Sequence, residues 1–180
     1  MFHPFPRPET ERLSLRRLTV ADAADVFLMR SDPEVMQYIP RPLATTVADA
    51  AELIDKLNGF ADQGVAINWA VEWKETGTVI GIIGYVHIKT DHHRAEVGYS
   101  LTRSWHRKGI MREALQRVLQ YGFQDMKLHS IEAITDADNQ ASGALLLAAG
   151  FRQEAFFRED FLYNGVFRDS IHYGLLKTEF

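Results

Sequence analysis

Residues 95–115 read AEVGYSLTRSWHRKGIMREAL. Ala95, Val97, Tyr99 and Leu101 alternate with Glu96, Gly98 and Ser100, which is the period of a strand. From Gly109 to Met126 the period changes, and Leu115, Val118, Leu119 and Phe123 fall on one face of a long helix. The turn between the two is short, basic and contains glycine. Such a turn exposes the unpaired backbone N–H groups of the helix start, where the helix dipole adds positive potential. Arg107 and Lys108 add charge, and Gly109 lets the backbone come close to an anion, so the turn reads as a phosphate cradle. GxxxxGK[ST] and GxGxxG are both absent, which excludes a P-loop and a dinucleotide fingerprint. An ordinary strand–helix turn with solvated charges fits the same spacing.

Upstream, three prolines mark residues 1–10 as an arm lying on the surface. RLSLRR, residues 12–17, alternates as a first strand. A helix follows, with Thr19 as its cap, Asp22 three residues on, and Val20, Ala23, Ala24, Phe27 and Leu28 as its inner face. Asp32-Pro33 breaks it, and Met36 to Pro42 is loop-like. A second helix spans Thr46 to Gln63, with Val47, Ala50, Ala51, Ile54, Leu57 and Ala61 inward and Gly64 ending it. Ile67, Trp69, Val71 and Trp73 then alternate, a turn at Glu75–Thr78 follows, and VIGIIGYVHI, apolar on both faces, is a central strand. After the 95–115 segment come a strand HSIEAIT, a short helix NQASGALLLAAG, and two tail strands joined at Asn164-Gly165. The order β-α-α-β-β-β-α-β-α-β-β predicts a mixed α/β sheet with helices on both faces.

At 180 residues, 46% hydrophobic and 24% charged, the chain reads as one soluble domain, 1–180. A net charge of −4 argues against a nucleic-acid partner. The absence of Cys removes disulfides, Cys-ligated zinc and a Cys nucleophile. Apolar runs fall short of the roughly 18 residues of a membrane span. The start, MFHPFPRPETERL, lacks the features of a signal peptide, so a cytoplasmic protein is expected. His87, His92 and His93 match no strong metal spacing, and no metal is expected.

The loop His106-Arg107-Lys108-Gly109-Ile110-Met111 resembles the acetyl-CoA pyrophosphate loop, Q/R-x-x-G-x-G/A, of the GCN5-related N-acetyltransferases (GNAT). It departs from that pattern at His106 and Met111. Glu9 to Leu18, Gly98-Tyr99-Ser100-Leu101, Asn139-Gln140-Ala141-Ser142, Ala149-Gly150-Phe151 and the set Asn164, Gly165, Phe167, Asp169 resemble, in order, the RimJ/RimL-like branch that acetylates ribosomal-protein N-termini. The resemblance implies a mostly antiparallel sheet of six to seven strands in which two parallel strands, AEVGYSL and HSIEAIT, splay apart to admit acetyl-CoA. It assigns the cofactor to Leu101, to His106, Arg107, Lys108, Gly109, Ile110 and Met111, and to Asn139. Gly98 lets backbone and cofactor approach closely.

The implied reaction needs a base for an ammonium, a donor for a developing oxyanion and an acid for the departing thiolate. Glu96 matches the family's base and Ser142 the branch's acid. The tyrosine many family members carry four residues later is Leu146 here. A solvated Glu96 facing Arg94 and a capping Ser142 are the plainer readings. Without Cys, transfer is expected to be direct, in a ternary complex. The expected acceptor is a protein N-terminal amine. The alternatives are a small amine (antibiotic, polyamine or amino acid) and an acyl-CoA-binding module without turnover. The tail hairpin, with Phe156, Phe157, Glu159 and Asp160, belongs either to the acceptor site or to a homodimer interface.

Overall fold

The computed structural model describes residues 2–180. The strands are β1 (Leu13–Arg16), β2 (Ile67–Trp73), β3 (Val79–Lys89), β4 (Arg94–Leu101), β5 (Ser130–Asp136), β6 (Arg152–Tyr163) and β7 (Val166–Leu176). The helices are α1 (Ala23–Arg30), α2 (Pro33–Met36), α3 (Val47–Gln63), α4 (Ile110–Gln124) and α5 (Gln140–Ala148). The strands form one sheet in the order β1-β2-β3-β4-β5-β7-β6, antiparallel throughout except where β4 runs parallel to β5. The sheet and its helix layers therefore match the expected mixed, mostly antiparallel architecture.

Strand alternation divides the sheet between two cores. Leu13, Leu15, Trp69, Val71, Ile83, Tyr85, Ala95, Val97 and Ile131 meet Ala114, Leu115, Val118, Leu119 and Phe123 of α4, with Leu146 of α5 in the same cluster. Ala70 and Ile82 meet Val26 and Met29 of α1 and Ala50 and Ile54 of α3 on the other face. The strand β3 is central, as its two apolar faces predict, and is buried from Val79 to Tyr85.

Two local expectations are corrected. Ala23 is buried as expected, but Val20, Ala24 and Leu28 are exposed, and Val26 and Met29 are the other residues of α1 that are buried. The Thr19–Asp22 box closes a 3-10 turn over Val20–Asp22, so α1 starts one turn later and its inner face rotates. The N-terminal arm also does more than lie on the surface. Phe2 is buried, Phe5 meets Trp69 edge-on, and the Trp69 indole N–H donates to the Pro6 carbonyl at 2.9 Å. The expectation for α3 is closer: Thr46 caps it, Gly64 ends it in a left-handed conformation, and Ala50, Ile54 and Ala61 are buried, although Val47, expected inward, is exposed.

Candidate active site

The parallel pairing of β4 with β5 covers only Arg94–Glu96 against Ser130–Glu132. Beyond Glu96 the two strands diverge. From Val97 to Leu101, β4 keeps its partner β3 on one side and has no strand on the other. The backbone groups on that free edge need a partner from elsewhere. Thr135, on the diverging half of β5, also carries a buried hydroxyl without a hydrogen-bond partner. The gap is closed at Glu96 and Glu132 and opens toward Leu101 and Asp136.

The turn into α4 lies at the open end. Arg107 and Gly109 both have positive φ, 58° and 73°, and Gly109 is the N-cap of α4 with no side-chain cap. Left-handed residues at two of three successive positions make the kind of backbone that lines an anion-binding concavity. The first turn of α4 leaves its amides free. Three side chains hold this loop. The His106 ring nitrogen Nε2 contacts the Leu101 carbonyl at 2.9 Å. The Lys108 ammonium lies 4.8 Å from the Trp105 ring centroid, and Trp105 in turn meets Trp73. Arg12 of the first-strand region donates to the Lys108 carbonyl at 3.3 Å and to Glu113 Oε2 at 2.7 Å. Burial favours protonation of Glu113, but the Thr10 hydroxyl and Arg12 outweigh it and hold its carboxyl below the usual range. Arg12 was not singled out from the sequence, because nothing local links it to a loop 96 positions away.

Ser142 lies in the first turn of α5. Asn139 caps that helix, its side-chain oxygen accepting from the Ser142 amide at 3.1 Å. The Ser142 hydroxyl is therefore not the cap. It shares a hydrogen bond of 2.7 Å with the Tyr99 hydroxyl of β4. Burial pushes the Tyr99 phenol up to about 12, its hydrogen bond with Ser142 working the other way, so it stays a neutral group. The strand period sets Tyr99 on one face with Ala95, Val97 and Leu101, but GYSL carries no mark of a contact 43 residues on.

Glu96 is on the opposite face of β4, with Gly98 and Ser100. It does not face Arg94. Arg94 and Lys89 both bind Glu132, at 2.7 and 3.0 Å, while Glu96 Oε2 meets His87 Nδ1 at 2.8 Å. A bulge in β3 between Tyr85 and His87 brings that histidine opposite Glu96. The two glutamates at the closed end of the gap thus differ. Burial works to raise the Glu132 carboxyl, but its two cations keep it below its ordinary range, whereas Glu96 has one largely exposed imidazole.

The sheet face carrying Glu96 is the face of α1 and α3. Ser100 donates to Met29 Sδ at 3.3 Å, joining α1 to the open half of β4. The tail hairpin reaches the same end, since the Tyr163 hydroxyl donates to the Arg41 carbonyl at 2.8 Å. Leu101 has a buried side chain, so only its backbone is available to a ligand. Trp69 is core, and Trp73 and Trp105 form the rim under the loop. Among the described residues no three His, Asp or Glu side chains group as metal ligands, and no helix is long and apolar enough to cross a membrane.

Residues 12–152 match the acetyltransferase (GNAT) domain. An uncharacterized N-acetyltransferase, p20, from Bacillus licheniformis is 36% identical over 171 residues, covering 95% of this chain and 96% of that protein. A GNAT-family acetyltransferase from Bacillus anthracis has a crystal structure that superposes with a TM-score of 0.87 at 28% identity, over 97% of this chain and 100% of that one. Two Escherichia coli relatives have named acceptors: the ribosomal protein uS5-alanine N-acetyltransferase, 29% identical over 116 residues (64% of this chain, 60% of that protein), and spermidine N(1)-acetyltransferase, 24% identical over 173 residues (96% and 90%). The chain belongs to the GNAT acetyltransferase family and is an acetyl-CoA-dependent acetyltransferase.

Proposed function

We propose that residues 1–180 act as a single cytoplasmic N-acetyltransferase domain of the RimJ/RimL-like branch, moving acetyl directly to the N-terminal α-amine of a protein. The observation that carries this reading is the divergence of β4 and β5 between two polar groups on opposite faces, Glu96 on one and the Ser142–Tyr99 pair on the other.

Acetyl-CoA supplies an activated acetyl thioester and a thiolate leaving group. The structure offers features that fit it: a free β4 edge for the pantetheine amides, a left-handed turn and helix start for the pyrophosphate, and an orphaned Thr135 hydroxyl on the facing strand. In this reading His106 to Met111 hold the pyrophosphate. Leu101 contributes backbone only, and Asn139 orients α5 while contacting the cofactor.

The amine enters from the α1–α3 face, where Glu96 takes its proton, directly or through water, and shares it with His87. On the opposite face the phenol is the more acidic of the two hydroxyls and the better donor, so Tyr99 gives its hydrogen to Ser142 Oγ. The Ser142 hydrogen is then free to point at the departing sulfur. Nucleophile and leaving group are served from opposite sides of one gap. Glu113 keeps Arg12, and with it the loop, in place.

Thiol release with acetyl-CoA and a panel of peptides, amino acids and polyamines tests the reading. Release with peptides bearing a free N-terminus, and none with spermidine, is the expected result. Release with spermidine alone would move the enzyme to the small-amine class. Stoichiometric acetyl-CoA binding without release to any amine would make it a binding module.

A further inference from the structure

Five of the seven half-buried arginines among the described residues are matched by a carboxylate: Arg12 by Glu113, Arg16 by Asp22 and Glu72, Arg17 by Asp62, Arg94 by Glu132, and Arg168 by Asp136 and Asp138; Arg117, on α4 and away from the open half of β4, and Arg30 are not. Arg30, the last residue of α1, is half-buried and makes no ion pair or side-chain hydrogen bond among the described residues. It lies where α1 meets the open half of β4, one residue after Met29, which contacts Ser100. The charged and titratable groups near it are Arg41 and Tyr163, the two residues whose contact joins the 38–43 loop to the hairpin tip. The carboxylates of this end are already engaged: Glu34 with Arg103 at 2.7 Å, Asp32 capping α2, and Asp136 and Asp138 with Arg168.

An unmatched guanidinium that is half-buried beside a second cation is less favourable than one paired with a carboxylate. Burial, and then Arg41, pull the Arg30 pKa below the ordinary arginine value. The C-terminal end of α1 offers it about half a charge at most, and that does not account for a like-charged neighbour on another element. The arrangement is poised for an anion that arrives with the ligand. Arginine's planar fork is suited to a carboxylate, which it can take with two parallel hydrogen bonds.

We propose that Arg30 is the anion-recognition residue of the acceptor site, and that the acceptor carries a carboxylate close to the amine it presents. The assignment rests on the reading above that the amine enters from the α1–α3 face. The carboxylate belongs either to an acidic side chain just behind a peptide N-terminus or to a free amino acid. A polyamine would bring cations to Arg30 and Arg41 and is disfavoured.

The test is calorimetry on the full chain saturated with CoA, so that no turnover occurs. Three peptides share an N-terminal alanine and differ only in carrying Asp-Glu, Asn-Gln or Lys-Lys at the next two positions. A free amino acid and its amide form a second arm, and spermidine a third. A charge-assisted pair at this site makes the carboxylate ligand bind about tenfold tighter or more than its neutral counterpart. Arg30→Met should abolish that preference, and Arg30→Lys should keep part of it. Arg30→Met removes an unpaired, half-buried charge, so its melting temperature should not fall, and Arg30→Lys reports on the site should the Met variant misfold. Preference in the peptide arm identifies an acidic N-terminus, and preference in the amino-acid arm alone identifies the free acid. Equal binding of charged and neutral ligands in both arms, no binding of any, tightest binding of spermidine, or a preference that survives Arg30→Met would each overturn the assignment. Thiol release is measured separately. A carboxylate preference without release would overturn the acetyl-transfer reading and leave Arg30 as an anion site.

Discussion

The hydroxyls of Tyr99 and Ser142 stand 2.7 Å apart, one on the diverging half of β4 and the other in the first turn of α5. Asn139 meets the backbone need of that turn, so the Ser142 hydroxyl is spared for other work. Ser142→Ala should lower kcat while acetyl-CoA affinity stays nearly constant, because the lost bond matters most as the sulfur leaves. Loss of one such donor costs roughly 2–4 kcal/mol, a fall of about 10²-fold or more where chemistry limits the rate. Tyr99→Phe should lower kcat less, and the double variant should be no worse than Ser142→Ala, since Tyr99 works through Ser142. Additive losses would separate the two residues. A lowered melting temperature with near-normal kcat in Ser142→Ala would leave only a structural role.

Glu96→Gln keeps the size of the side chain and removes its charge. Turnover should fall by about 10²-fold near neutral pH, where the amine is protonated, and the deficit should shrink as pH approaches the amine's own pKa. A pH–rate profile of wild type and variant checks this. A deficit that is the same at every pH would point to positioning of His87 rather than proton transfer.

At Gly109 the φ of 73° is a left-handed value that a β-branched residue adopts only under strain. Gly109→Val should distort the turn and cover its amides. Losing two contacts of about 1 kcal/mol each weakens acetyl-CoA binding roughly tenfold or more by calorimetry. The space beside Gly109 is not tight, the nearest atom to an added Cβ being Arg12 Nη2 at 3.7 Å. Gly109→Ala should therefore lose less than the valine variant. Unchanged affinity in Gly109→Val would place the pyrophosphate elsewhere.

Period and punctuation in the sequence carried the sheet: β3 apolar on both faces, Asn164-Gly165 at the last turn, Thr46 and Gly64 bounding α3. These signals lie within a few residues of what they determine. The Val20–Leu28 face was misplaced because a 3-10 turn and an α-helix share one capping pattern but not one periodicity. The left-handed turn ahead of α4 was legible for the same local reason, as a basic glycine turn before a helical period. The contacts that complete the site were not, since Arg12 to Lys108, His87 to Glu96 and Tyr99 to Ser142 are fixed by which strands become neighbours. The bulge in β3 that brings His87 opposite Glu96 left no trace in VIGIIGYVHI.

The start of α1 rests on Asp22, and its stability should follow the titration of that carboxyl. Asp22 is buried, binds Arg16 through two nitrogens at 2.7 and 2.8 Å, and accepts from the Thr19 amide at 2.7 Å; Arg16 also binds Glu72. Burial works to raise the Asp22 pKa, but Arg16 and Thr19 outweigh it and leave it below its ordinary value of 3.8. A carboxyl whose pKa is depressed on folding stabilises the fold above its unfolded pKa and loses that stabilisation as pH falls through the folded one. Asp22→Asn should cost roughly 1.5–3 kcal/mol at pH 7, the range for hydrogen bonds to a charged partner. The gap between wild type and variant should narrow below about pH 4, as the wild-type carboxyl takes up its proton. Urea denaturation at pH 7, 5 and 3.5 measures both. A gap of constant size across that range would mean that the loss comes from packing and not from the Arg16–Asp22 pair.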